Sequence, residues 1–256
     1  MRFGIPVFRH PGRAFVCMVS AAAVQVCSPD VTIDRKPWWD SDGDTISTAV
    51  EIESHNRQRY GFDTTRFDFN PSIASGTRSN GFLIRGLNLP DTGFGYIHDP
   101  GTDFKDSDDW GTLALINTVE QAGREFRRKP CQTLYADPDH LPRQQTLDMS
   151  LDGGQYFYPH DEHQNGLDVD VRYMRTNGEG QLDLADPTQA PYFDLTGTLE
   201  LMSCFLQTGR IFRIIYDSAR TGIGNPPGTN YLVDDPSGQH SNHMHVSIFD
   251  PDGPNN

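Results

Sequence analysis

Two short segments, far apart in this chain, obey the same rule, and that rule limits what they can fold into. Residues 167–171 read LDVDV and residues 243–248 read HMHVSI, a strict alternation of apolar and polar side chains. A period of two belongs to an extended strand, whose successive side chains point to opposite faces. Each segment therefore reads as a half-buried strand. Leu167, Val169, Val171, Met244, Val246 and Ile248 enter a core, while Asp168, Asp170, Arg172, His243, His245 and Ser247 share the other face. Of the nine histidines in the chain, five (His160, His163, His240, His243 and His245) fall within residues 159–172 and 240–248.

That concentration points to a metal site. Imidazole nitrogen and carboxylate oxygen are donors that zinc prefers, and a catalytic zinc takes three protein ligands and keeps one position open. Two strands presenting a His-plus-Asp pair and an H-x-H pair would supply such a set rigidly. Surface histidines on solvated strands are the alternative, and five histidines among interleaved acids favour the metal. Spacing does not separate Asp168 from Asp170 as a ligand, because both lie on one face. The net charge of −14 and a pI near 4.9 argue against nucleic acid or an anionic membrane as partner.

Residues 1–27 have the pattern of a secretory signal peptide. Residues 1–13 carry Arg2, Arg9 and Arg13 and no acid, residues 14–26 are almost wholly apolar, and Ser20–Ala23 are small. The apolar run is too short to span a bilayer, so no integral membrane span is expected and the protein reads as exported, periplasmic or extracellular. Export permits disulfides, and Cys131 with Cys204 is the expected pair, leaving Cys27 in the leader.

Residues 28–80 form an acidic and polar extension. Within it Asp40, Asp42, Asp44, Thr48 and Glu51 stand at positions 1, 3, 5, 9 and 12 of a calcium loop spanning 40–51, although Gly43 occupies position 4 and Thr45 the position 6 that calls for glycine. Calcium and a solvated acidic linker both remain open. Phe62–Phe69 reads as a strand.

Residues 81–256 form the main domain. Residues 81–100 read as short strands and turns. Leu113, Leu115, Ile116, Val119 and Ala122 have helical spacing, with Asp108 or Asp109 as the cap. Thr146–Leu151 reads as a strand, Asp152-Gly153-Gly154 as a turn, Thr196–Gly209 as a second amphipathic helix and Arg210–Asp217 as another strand. Thr221–Gly238, rich in Gly, Pro and Asn, reads as a long loop bordering a cleft. The expected fold is α+β: a small antiparallel sheet carrying the site, flanked by helices near 112–124 and 196–208.

These residues resemble the penicillin-insensitive murein endopeptidases, zinc peptidases related to the lysostaphin-type and D-Ala-D-Ala peptidases. The resemblance lies in a series of motifs between residues 80 and 250: Gly86-Leu87-Asn88-Leu89-Pro90, Gly93-Phe94-Gly95-Tyr96, Trp110-Gly111-Thr112, Asp148-Met149-Ser150 with Gly153-Gly154, the string from His160 to Asp170, and that from His240 to Val246. It does not cover the extension. It implies zinc held by His163, Asp170 and His245, with His243 beside the metal as first candidate for the catalytic base, His240 as second, and His160 as an auxiliary histidine. Asp168 would then orient a ligand or be merely solvated.

Three positions depart from the family pattern: Glu162 where the family has Ser, Asn242 where it has Asp, and Ser247 where it has Arg or Lys. There is no H-E-x-x-H helix and no G-x-S-x-G turn, so neither a glutamate base of that class nor a serine nucleophile is indicated. The activity implied is hydrolysis of the D-alanyl–diaminopimelyl cross-links of peptidoglycan. The alternatives are a D-Ala carboxypeptidase or dipeptidase of the same superfamily, and a metal-bearing wall-binding module that does not hydrolyse.

Overall fold

The structure is a computed structural model and describes residues 72–93, 95–98, 108–128, 142–156, 158–224 and 230–251. The leader, the calcium-loop residues Asp40, Asp42, Asp44 and Glu51, the Phe62–Phe69 segment, Cys27 and Cys131 lie outside them. Eleven strands are present among the described residues: β1 (Ile73–Thr77), β2 (Asn80–Ile84), β3 (Leu87–Asn88), β4 (Thr92–Gly93), β5 (Tyr96–His98), β6 (Trp110–Gly111), β7 (Gln144–Thr146), β8 (Asp168–Arg172), β9 (Ile211–Tyr216), β10 (Leu232–Asp234) and β11 (His243–Ile248). The helices are α1 (Leu113–Arg128), α2 (Leu195–Gln207) and the single turn α3 (Ser218–Thr221). No helix among the described residues is long and apolar enough to cross a membrane.

The fold is α+β, as its sequence patterns predict. The sheet carrying the histidines is larger than expected, with seven strands in the order β10-β9-β11-β8-β7-β5-β4. It is also mixed, because β10 runs parallel to β9 and β5 parallel to β7. The first of those pairings lies in the segment expected to be a long loop: Leu232–Asp234 add an edge strand there. Conversely, of the segment read as a strand over Thr146–Leu151, only Thr146 belongs to a ladder, as the last residue of Gln144–Thr146. Beyond it the chain makes separate backbone bonds, Leu147 N–H to the Asp170 carbonyl and Asp170 N–H to the Asp148 carbonyl. The hairpin of β1 and β2 straddles residue 80, so the fold takes in residues ahead of the expected boundary at 81.

The two helices form where apolar residues recur at helical spacing. Leu115, Ile116, Val119, Ala122 and Phe126 on α1 are fully buried and join Leu201, Met202, Cys204 and Phe205 of α2 in one core with Val169, Val171, Met244 and Val246. The cap of α1 is Thr112 rather than Asp108 or Asp109: its hydroxyl accepts from Leu115 N–H at 3.2 Å. Asp194 caps α2, accepting from Gly197 N–H at 2.9 Å.

One expectation about the central strands is overturned. Every residue of β8 is buried, and so is every residue of β11 except His243, which is partly exposed. The polar face is not solvated. The β1–β2 turn brings Arg78 over it, and the segment leading to β8 brings Glu162 and His163. Polar groups removed from water in this way need partners, and Asp168 Oδ1, Asp170, His245 and Ser247 have them.

Candidate metal centre

The pairing of β8 with β11 sets His245 opposite Asp170, Ser247 opposite Asp168 and His243 opposite Arg172. His163 arrives from the preceding loop in a left-handed backbone conformation, φ 71°, which a residue with a Cβ adopts only when its surroundings hold it there. The surroundings are visible: Gln164 N–H donates to the Arg78 carbonyl at 3.0 Å and Gln155 N–H to the Gln164 carbonyl at 3.4 Å. Gly154, itself at φ 76°, touches this loop so closely that a Cβ there would lie 2.2 Å from the Gln164 carbonyl oxygen.

Three donor atoms converge. His163 Nε2 lies 3.0 Å from His245 Nδ1 and 3.3 Å from Asp170 Oδ1, and His245 Nδ1 lies 3.0 Å from the same carboxylate oxygen. Zinc bonds of about 2.0–2.1 Å in a tetrahedron separate their ligand atoms by about 3.3 Å, so the triangle has close to the size of three tetrahedral corners. The far side of each ring is already committed. His163 Nδ1 meets the Met149 carbonyl at 2.5 Å. His245 Nε2 faces Asp168 Oδ1 at 3.3 Å, Glu162 Oε2 at 3.3 Å and Ser247 Oγ at 3.2 Å. With the ring protons on those outer nitrogens, the inner nitrogens carry lone pairs aimed at each other and at a carboxylate. Only a positive charge makes that arrangement favourable.

The electrostatics agree. Burial works against charge on His245, yet hydrogen bonds with Asp168, Asp170 and Glu162 hold its pKa well above 6.5. Burial likewise works against the Asp170 carboxylate, but His243 and His163 hold its pKa well below 3.8. The acceptors around His245 favour its charged form, and a metal ion could take the place of that proton among the same donors. Groups of His, Asp and Glu that could hold a metal ion are therefore present: His160–His163–Asp170 and Glu162–Asp168–His245 among the described residues, each with donor atoms within 4.8 Å of one another. The His163–Asp170–His245 triangle joins the two.

The remaining histidines line the other oxygen of Asp170. Its Oδ2 lies 3.4 Å from His243 Nε2 and 3.6 Å from His160 Nδ1. Asp148 holds His160 through Nε2 at 2.8 Å, and this contact with Asp170 raises the His160 pKa against the lowering effect of burial. The His243 pKa is pushed down to about 4: burial first, helped by His240, His245 and His163, overcomes the raising effect of Asp170. Its Nδ1 is 2.5 Å from Asn242 Oδ1. His240 stands further out, its ring 5.0 Å from that of His243 and 6.2 Å from that of His245, and its Nδ1 is held by Asp235 at 2.5 Å.

All six sequence-indicated residues of the main domain thus meet in one place, and Asp168 orients His245 rather than facing solvent. Several contributors were given no role by the sequence: the Met149 carbonyl and Asp148, which stand only in a family-like motif, and Asp235, Arg78 and Arg213. Arg213 had a readable signal, as the one charged residue inside the apolar run of β9. Arg78, in a turn 90 residues from its partner Asp168, had none. No protein-family model matches the chain, and no curated protein matches it.

Proposed function

We propose that this chain is a zinc peptidase, and that its substrate is the D-alanyl–diaminopimelyl cross-link of peptidoglycan, reached by export under the direction of residues 1–27. The observation that carries the peptidase reading is the triangle of His163 Nε2, Asp170 Oδ1 and His245 Nδ1, whose donor types and edges of 3.0–3.3 Å suit a zinc ion with an open fourth position. The substrate class rests on the resemblance of the His160–Asp170 and His240–Val246 strings to murein endopeptidases.

His163, Asp170 and His245 would hold the zinc, which would supply a Lewis acid to polarise the scissile carbonyl and to lower the pKa of a water. The rest falls to the protein. His243 is the base: its Nδ1–H donates to Asn242, so in the neutral ring Nε2 carries the lone pair, 3.4 Å from Asp170 Oδ2 and beside the donor set. With a pKa near 4 it is neutral and ready to accept a proton at neutral pH. His240, fixed by Asp235, is the second candidate, and we assign it the return of a proton to the leaving amine.

The test is digestion of purified cross-linked disaccharide-peptide dimers, with and without chelator, read by mass spectrometry. Chelator-sensitive conversion to monomers is the expected result. Cleavage of free stem termini alone would identify a carboxypeptidase instead, and intact dimers with zinc bound would refute hydrolysis of this bond.

A further inference from the structure

The Glu162–Asp168–His245 group has the donor types of a second metal site, but its charges are already matched. Arg78 Nε lies 3.1 Å from Asp168 Oδ1, and Arg213 Nη2 is hydrogen-bonded to Glu162 Oε2. Neither guanidinium is a loose surface group. Arg78 also donates to the Ile248 carbonyl and lies 4.5 Å from the Phe212 ring centre; Arg213 lies 5.6 Å from the same centre, with Nε 3.4 Å from Ser247 Oγ. Two carboxylates and two guanidiniums leave no net charge to attract a divalent ion, which would also stand close to both cations. What surrounds His245 Nε2 is a set of acceptors: Asp168 Oδ1 at 3.3 Å and Ser247 Oγ at 3.2 Å as hydrogen-bond partners, and Glu162 Oε2 as an ion-pair contact at 3.3 Å.

Adjacent residues complete the picture. His163 faces His245 at Nδ1, and Glu162 faces it at Nε2. One step of backbone thus embraces the imidazole from both nitrogens. We propose that Glu162, braced by Arg213, is a positioning residue that fixes His245 with its proton on Nε2 and its Nδ1 free to bind the metal, and is not the ligand of a second ion. This rests on the metal reading given above.

The test combines zinc stoichiometry, affinity by competition with a chromogenic chelator, and long-range proton–nitrogen spectra of the zinc-loaded, histidine-labelled protein. The wild type should take one equivalent. Glu162→Ala should take one equivalent about tenfold to a hundredfold more weakly, with faster solvent exchange of the His245 Nε2 proton. Glu162→Gln, which keeps an acceptor oxygen, should stay close to wild type in both, and melting of the metal-free variants separates these effects from loss of fold. A second wild-type equivalent that disappears in Glu162→Ala would make Glu162 an ion ligand and overturn the proposal. Unchanged affinity and proton exchange in Glu162→Ala would overturn the positioning role alone. A wild type that takes no zinc would overturn the metal reading, and this proposal with it.

Discussion

Replacing Asp168 by Asn deletes one charge and leaves the shape of the side chain almost unchanged, at a position with no exposed surface. Burial raises the pKa of this carboxyl, but His245, His163 and Arg78 overcome it and bring the value from 3.8 down to about 2. The ionised form is therefore favoured more in the folded than in the unfolded chain. The stabilisation is fully present above the unfolded value and is lost as pH falls through the folded one. It amounts to about 2 kcal/mol. In a protein of this size that corresponds to a melting temperature lower by about 4–8 °C. The measurement is thermal or urea unfolding of the metal-free protein, wild type against Asp168→Asn, near neutral pH and again near pH 3. At the lower pH roughly half of the difference should remain, because the carboxylate is then losing its advantage. A variant that unfolds with the wild type at neutral pH, or a gap that fails to narrow in acid, refutes the view that this buried charge stabilises the site.

Other consequences are as direct. His163→Ala should abolish the single equivalent of zinc found by elemental analysis, since it removes one corner of the donor triangle. His243→Ala should retain zinc and lose about 10²- to 10⁴-fold in turnover. In the metal-free wild type, burial and the neighbouring histidines predict that the His243 ring stays neutral to mildly acid pH and takes its proton only as pH drops through about 4, which proton NMR of the ring reads. Gly154→Ala should destabilise the protein by about 1–3 kcal/mol in denaturant titrations. Its φ of 76° and the 2.2 Å approach to the Gln164 carbonyl leave no room for a methyl group.

What could be read from the sequence, and what could not, divides along a physical line. Local periodicity announces β8, β11, α1 and α2, because each buries an apolar set at its own repeat. The repeat places Asp170 and His245 on one face, while His163, in the loop before β8, is singled out by the resemblance. The burial of the polar face could not be read, since it depends on which distant segments fold over it. Arg78 reaches across 90 positions to Asp168, and Arg213 across 51 to Glu162. Nothing within a window of ten residues distinguishes Arg78 from an arginine facing water, whereas Arg213 is marked only as the one charged residue inside β9, with no sign of its partner. The cap of α1 departs from its sequence pattern for a related reason. Both aspartates lie close to the helix start, but the hydroxyl that bonds Leu115 N–H also donates to the Gly166 carbonyl, a tertiary contact that selects Thr112.

The same division explains why the site is so firmly specified. Along β8 and β11 the apolar positions Val169, Val171, Met244 and Val246 are all buried in the helical core. Sliding one strand past the other by a single residue would turn all of one strand's apolar side chains away from that core. The registers that avoid this keep the polar residues of both strands together on the other face, and the one adopted sets His245 against Asp170 and Ser247 against Asp168. These two pairs lie two residues apart on that face. Hydrophobic burial on one face of the sheet therefore gathers the donors of both strands on the other. The polar cluster, costly to assemble by itself, is held on one face by forces that never touch it.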